Sequence, residues 1–144
     1  MNGLEILKVI TKDAVSCKYL GGLMSIDRLH FVPNSRIFYI CNTDLWKNKG
    51  KHWIVLYYIN GIFEYFDPLG IQPSVLFINF MKQYTKHIIF NTIPVQPSFT
   101  STCGEYCIFF SSFRNRDVPF TKIMQYMQND ETVMNYVKHI SSLY

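Results

Sequence analysis

No stretch of this sequence approaches the roughly 20 consecutive apolar residues that a bilayer-spanning helix requires. The apolar runs Ile54–Ile59 and Val75–Ile78 fall far short of it. The opening Met1-Asn2-Gly3-Leu4-Glu5 has no basic segment leading into an apolar one, so no signal peptide is expected, and it does not fit a myristoylation signal. Charge is scarce as well. Charged residues make up 17% of the chain, the formal net charge is +4, and no run of five or six like charges occurs. With 49% apolar residues the chain can fill a core, which excludes a disordered or solvating role. Cysteine is sparse: Cys17, Cys41, Cys103 and Cys107 are too few to staple a chain of 144 residues. Cys103 and Cys107 share a helix face, but no second pair at metal-ligand spacing joins them, so no metal is expected. These absences leave a soluble, intracellular, monomeric single domain over 1–144. Small basic clusters at Lys47, Lys49 and Lys51, and at Arg114 and Arg116, leave weak DNA contact open by charge; a solvated loop is their commoner use.

Aromatic residues are abundant, with twelve Phe and ten Tyr, and favour sheet faces and large buried side chains. The pattern along the chain predicts α+β order without repeats or linkers. Asn2 caps a short helix with Leu4, Ile6, Leu7 and Ile10 on its buried stripe. Gly21-Gly22 breaks the next segment, Arg36–Asn42 is a strand, and 43–51 is a polar loop. After Pro73-Ser74 comes a helix with Leu76, Phe77, Phe80, Met81 and Tyr84 on one stripe. Ile88–Val95 is a short strand, and Pro94, Pro97 and the polar run Ser98–Thr102 form a loop. Cys103–Phe113 is a buried helix, apolar nearly all round. Two helices end the chain: Phe120–Gln128, and one capped by Asp130 with Val133, Met134, Val137 and Ile140 on its inner face.

Lys51 to Pro68 carries the sharpest local signal. Asn60-Gly61 between two β-rich runs predicts a hairpin with a type I′ turn. Counting outward, Ile59 pairs with Ile62, Ile54 with Asp67 and His52 with Leu69. His52 and Asp67 then share a face as diagonal neighbours, within reach of each other's side chains. A carboxylate on one imidazole nitrogen fixes the tautomer, and the other nitrogen can take a proton from a thiol. Cys103 is the matching thiol. At a helix N-terminus its pKa is lowered, and free backbone N–H groups there can hold an oxyanion, with Gln96 as a second donor. Gly104 is expected to leave room for a substrate backbone. Each of these residues alone has a commoner structural use: a strand histidine, an Asp-Pro turn, a buried thiol. Their order and spacing together carry the catalytic reading. Cys107 reads as helix core, Cys17 and Cys41 as buried and unreactive, and His30, His87 and His139 as surface residues. Trp53 either packs beside the site or fills the core.

The strings His52-Trp53, Tyr65-Phe66-Asp67-Pro68-Leu69-Gly70 and Val95-Gln96 through Cys103-Gly104-Glu105-Tyr106-Cys107 resemble the adenovirus maturation protease family, adenain. They also resemble the wider clan that contains the SUMO-deconjugating proteases. The likeness extends weakly over residues 5 to 113. It implies a papain-like, adenain-like cysteine protease fold: a mixed β-sheet, a central helix bearing the nucleophile, and surrounding helices. It implies Cys103 as nucleophile, His52 as base, Asp67 as its partner and Gln96 as oxyanion donor. It also implies cleavage of viral precursor proteins during virion maturation, with the enzyme in the virion and the host nucleus or cytoplasm. The acid is Asp, as in the wider clan, where the human adenovirus enzymes have Glu. No cysteine lies between Gly70 and Gln96, where the adenovirus enzyme forms a disulfide to its activating peptide. No cofactor is therefore expected, and an activating peptide or DNA enters only through the resemblance. The alternatives are an isopeptidase for ubiquitin-like or SUMO-type modifiers, and a catalytically silent binding module of the same fold.

Overall fold

In the computed structural model, which describes residues 1–45, 47, 52–98 and 100–143, five strands form one mixed sheet in chain order. They are β1 (Leu20–Ser25), β2 (Arg36–Asn42), β3 (Trp53–Ile59), β4 (Ile62–Phe66) and β5 (His87–Phe90). β2, β3 and β4 run antiparallel, and β1 and β5 add parallel to the two edges. Lys49 and Lys51, with most of the end of the polar loop expected over 43–51, lie outside the described residues.

The hairpin follows from its turn. Asn60 and Gly61 have φ of 47° and 85°, as a type I′ turn demands, and Ile59 pairs with Ile62. The expected break at Gly21-Gly22 is instead a strand with a register shift between Leu20 and Gly22. A side chain at Gly21 would collide with the Tyr39 ring, so glycine here lets β1 close onto β2. The strand expected to reach Val95 stops at Phe90, because the Asn91 side chain leaves the ladder to bind the backbone at Asp67 and Pro94 has no N–H to give.

The helices are α1 (Gly3–Lys12), α2 (Val75–Lys82), α3 (Cys103–Arg114), α4 (Phe120–Tyr126) and α5 (Asp130–Ser141). Asn2 and Glu5 form a capping box on α1, but the helix buries Ile6, Val9 and Ile10, while Leu4 is exposed and Leu7 half-buried. On α2 only Phe77, Phe80 and Met81 face inward; Leu76 and Tyr84, expected on the stripe, are exposed. Asn129, not Asp130, caps α5, accepting from the Thr132 N–H at 3.3 Å. Its inner face holds Val133, Val137 and Ile140, with Met134 only half-buried.

The sheet is covered on both faces. α1, α3, α4 and α5 pack against Phe38, Ile40, Val55, Tyr57 and Phe66. α2 and the 26–35 connection cover Tyr39, Cys41, Ile54, Leu56, Phe63 and Tyr65. Burial on both sides is why the β3 run is continuously apolar rather than alternating. α3 is the central helix. Its Phe110 stacks on Phe66 of β4 at 4.5 Å, and Arg114 at its far end forms a two-pronged ion pair with buried Glu64. Arg116 likewise clasps buried Asp13 at 2.9 and 2.7 Å. The two arginines read as a basic cluster are thus committed to structural ion pairs. No helix among the described residues is long and apolar enough to cross a membrane.

Candidate active site

The β3–β4 hairpin brings His52 and Asp67 to one end of the sheet. The ladder closes at Val55–Phe66, and His52 and Asp67 lie just beyond that end of it. His52 Nε2 and Asp67 Oδ1 are 2.6 Å apart. Asp67 is only 2% exposed, and its position is fixed from three sides. The Leu69 N–H donates to Oδ1 at 2.8 Å, closing an Asx turn before the hairpin's exit. The Asp67 N–H donates to Asn91 Oδ1 at 2.9 Å, and Asn91 Nδ2 donates back to the Asp67 carbonyl at 2.7 Å. With Nε2 held by the carboxylate, Nδ1 is the ring nitrogen left for a second partner.

The Cys103 thiol, on the first residue of α3, lines the same cavity as His52 and is electrostatically coupled to its ring. Burial alone would raise this thiol's pKa. Hydrogen bonds from the His52 ring and the Trp53 backbone, together with the charge on the ring, hold it below the ordinary thiol value. Burial disfavours a charged His52, yet its hydrogen bonds to Asp67 and Cys103 raise its pKa to about 9. Opposite shifts on neighbouring groups favour a thiolate–imidazolium pair. Cys107, one turn further along α3, has no such help: burial pushes its pKa well above the ordinary thiol value, and its S–H donates to the Trp53 carbonyl at 3.3 Å. Through that bond the Trp53 carbonyl ties β3 to α3. Cys41 is buried as expected; Cys17 is exposed, contrary to expectation, because it sits on the one-turn 3₁₀ helix Ser16–Lys18 at the surface. His30, His87 and His139 are exposed.

Gln96 reaches the same place from the segment after β5, anchored by its N–H to the Pro68 carbonyl at 3.0 Å. Its side-chain nitrogen donates to the Thr100 carbonyl at 2.8 Å and to Thr100 Oγ1 at 3.2 Å, while its Oε1 is buried without a partner. A cavity of about 260 Å³ opens over the group, lined by His52, Trp53, Leu69, Gln96, Thr100 and Cys103. Backbone N–H groups of the first turn of α3 have no intrahelical acceptor and can take a negative oxygen. The arrangement suits attack by sulfur on a carbonyl carbon with proton transfer through one imidazole. Among the described residues no cluster of three metal-ligating side chains occurs.

Two points differ from the sequence reading. Gly104 is buried, and a β-carbon there would come within 3.1 Å of Ile6, so its smallness serves the packing of α1 on α3 rather than substrate access. Asn91 and Thr100, which hold Asp67 and Gln96, were not anticipated. An Asn closing a short strand and a Thr in a Ser/Thr-rich loop carry no signal by themselves, since their partners are fixed only by the fold.

No protein-family model matches the chain, and no curated protein matches it. Solved structures do. The ASFV pS273R protease aligns with a TM-score of 0.59 and 24% identity, over 78% of this chain and 45% of that one. A second structure of the same protease aligns at 0.57 and 18%, over 85% of this chain and 58% of that one. The SUMO protease Ulp1, in a form with its catalytic cysteine oxidised to a sulfonic acid, aligns at 0.56 and 14%, over 97% of this chain and 79% of that one. This chain spans about half the length of the viral protease structures. At these identities the likeness is one of fold. The α+β fold expected from the sequence is the fold found, and it is the one these proteases share.

Proposed function

We propose that the chain is a cysteine endopeptidase in which Cys103 attacks the substrate, His52 transfers the proton, Asp67 orients and charges His52, and Gln96 helps hold the oxyanion. The observation that carries this reading is the 2.6 Å His52–Asp67 hydrogen bond beside the cavity that His52 and Cys103 line together, with the ring and the thiol shifting each other's pKa. The Cys103 thiolate adds to the carbonyl carbon of the scissile peptide, and the carbonyl electrons move onto oxygen. First-turn N–H groups of α3 and the Gln96 amide stabilise that charge. Collapse expels the amine, which takes its proton from the His52 imidazolium, leaving a thioester on Cys103. His52 then draws a proton from water, the hydroxide adds to the thioester, and the acid product leaves with the thiolate restored.

A cavity of about 260 Å³ bounded by Trp53 and Leu69 suits small residues such as Gly beside the cleaved bond. Viral structural precursors are the substrates that likeness favours. A second reading rests on the alignment with a SUMO protease across 97% of this chain. It makes the same thioester chemistry act on an isopeptide bond between a modifier and lysine.

The test is hydrolysis of Gly-Gly peptides and of a viral precursor by the purified chain and by Cys103→Ala and His52→Ala. Loss of cleavage in both variants is expected, and undiminished turnover in either ends the proposal. A modifier–lysine conjugate assayed alongside separates endopeptidase from isopeptidase. A silent module would alkylate at Cys103 no faster than at Cys107.

A further inference from the structure

Gln96 is placed to donate to an oxyanion, yet its side-chain nitrogen already donates to Thr100, to the carbonyl at 2.8 Å and to Oγ1 at 3.2 Å. The orientation of the amide is fixed by chemistry, since a carbonyl oxygen in place of nitrogen would face the Thr100 carbonyl with no proton between them. The same orientation leaves Oε1 buried and without a partner, in a side chain only 7% exposed. Thr100 is in turn held by its own loop: its hydroxyl donates to the Pro97 carbonyl at 2.8 Å and lies 3.0 Å from Thr102 Oγ1. Thr102 immediately precedes the nucleophile.

We infer that Thr100 is a positioning residue that keeps the oxyanion hole closed at rest, by drawing the Gln96 amide to itself until a developing negative oxygen competes for it. Resting on the assignment of Gln96 as oxyanion donor, this inference goes a step further and names what the donor must release. A hydroxyl is a neutral acceptor, and an oxyanion is a charged one that forms a stronger hydrogen bond. The amide therefore leaves Thr100 Oγ1 late, as charge appears. The cost of leaving falls on the chemical step rather than on substrate binding, so it weighs on kcat and not on KM. The Cys103–His52–Asp67 line does not pass through Thr100, and reaction of the thiolate with a reagent that forms no oxyanion is independent of it.

Removing the hydroxyl takes away in advance one of the two acceptors that hold the amide. Thr100→Val should raise kcat on a Gly-Gly peptide by roughly 2- to 10-fold, the range of one neutral hydrogen bond, with KM little changed. Thr100→Ser keeps the acceptor and should stay near the parent. Iodoacetamide alkylation of Cys103 should proceed at the parent rate in both variants, which also establishes that the site is folded. Gln96→Ala should lower kcat by about 10²- to 10³-fold, and Thr100→Val added to it should change nothing further. If Gln96→Ala leaves kcat intact, the donor assignment itself is wrong. If Gln96→Ala lowers kcat but Thr100→Val leaves it unchanged or lowered at a parent alkylation rate, Gln96 stands and the restraining role of Thr100 falls.

Discussion

Cys103 and His52 shift each other in opposite directions, so their protonation is a property of the pair. The reactive form, thiolate with imidazolium, exists above the lowered pKa of the thiol and below about 9, where His52 gives up its proton. Activity should therefore rise as the thiol ionises, at a lower pH than an ordinary thiol would, and fall as pH rises through about 9, read from kcat/KM on a peptide across pH 5 to 10. The thiolate should also be alkylated by iodoacetamide at pH values where a free thiol, with a pKa of roughly 8.5, is mostly protonated. His52→Ala should move that alkylation profile up toward the free-thiol value, and an unmoved profile would mean the ring does not set the thiol's charge. Asp67→Asn keeps the shape but removes the charge that holds His52 protonated, and should lower kcat by about 10²- to 10⁴-fold. All four candidate site residues were legible in the sequence because two sit at fixed offsets from an Asn-Gly turn and two flank a helix start. The atoms they use were not. That Nε2 serves Asp67, and that the Gln96 amide donates to Thr100, depends on side-chain angles that no spacing encodes.

Elements carry the site through their ends. The hairpin could be counted from its turn because a two-residue turn fixes the register of everything beyond it. The parallel edge strands had no such local marker: β1 hides behind two glycines, and β5 ends where Asn91 turns to bind Asp67. Asn91 extends the β4 ladder by one imitation of a backbone pair, and it is 7% exposed. Asn91→Ala leaves the Asp67 N–H and carbonyl buried without partners, at about 1–3 kcal/mol of stability. Because Asp67 is the residue released, kcat should fall along with the urea midpoint; a stability loss with kcat intact would show that the remaining contacts of Asp67 suffice to hold it. Gly104→Ala tests the junction of α1 and α3. A methyl group 3.1 Å from Ile6 overfills a packed contact, with an expected cost of about 1–3 kcal/mol. If Gly104 instead served substrate access, KM would rise at unchanged stability.

Across the whole molecule, the end of α3 away from the nucleophile is fastened by two ion pairs whose burial differs, and the difference decides their worth. Glu64 and Arg114 are both sheltered, with side chains 5% and 14% exposed, and Arg114 also lies over the Tyr57 ring. Asp13 is 3% exposed but its partner Arg116 is 40% exposed. Removing Glu64 strands a guanidinium inside the protein, so Glu64→Ala should cost about 3–5 kcal/mol. Removing Asp13 leaves Arg116 free to find water, and the loss is mainly that of a charged acceptor for Ser16 and Ser112, at 2.7 and 2.6 Å. Asp13→Ala should therefore cost less, about 1–3 kcal/mol, and an inverted order in urea unfolding would contradict the burial argument. The same network sets the acid limit of stability. Burial would raise the pKa of Asp13, but Arg116, Ser112 and Ser16 hold it far below the usual carboxylate range. A carboxylate more acidic folded than unfolded stabilises the fold above its unfolded pKa of about 3.9, and that contribution drains away as pH drops below it. His52 works in the opposite sense. Its folded pKa of about 9 exceeds the ordinary 6.5, so its contribution is whole below 6.5 and lost by about 9. Thermal unfolding followed from pH 3 to 10 should show a plateau between these limits. Asp13→Asn should flatten its acid shoulder, and His52→Ala should flatten the alkaline shoulder that coincides with the loss of activity. An alkaline shoulder that survives in His52→Ala would separate the stability change from the catalytic pair.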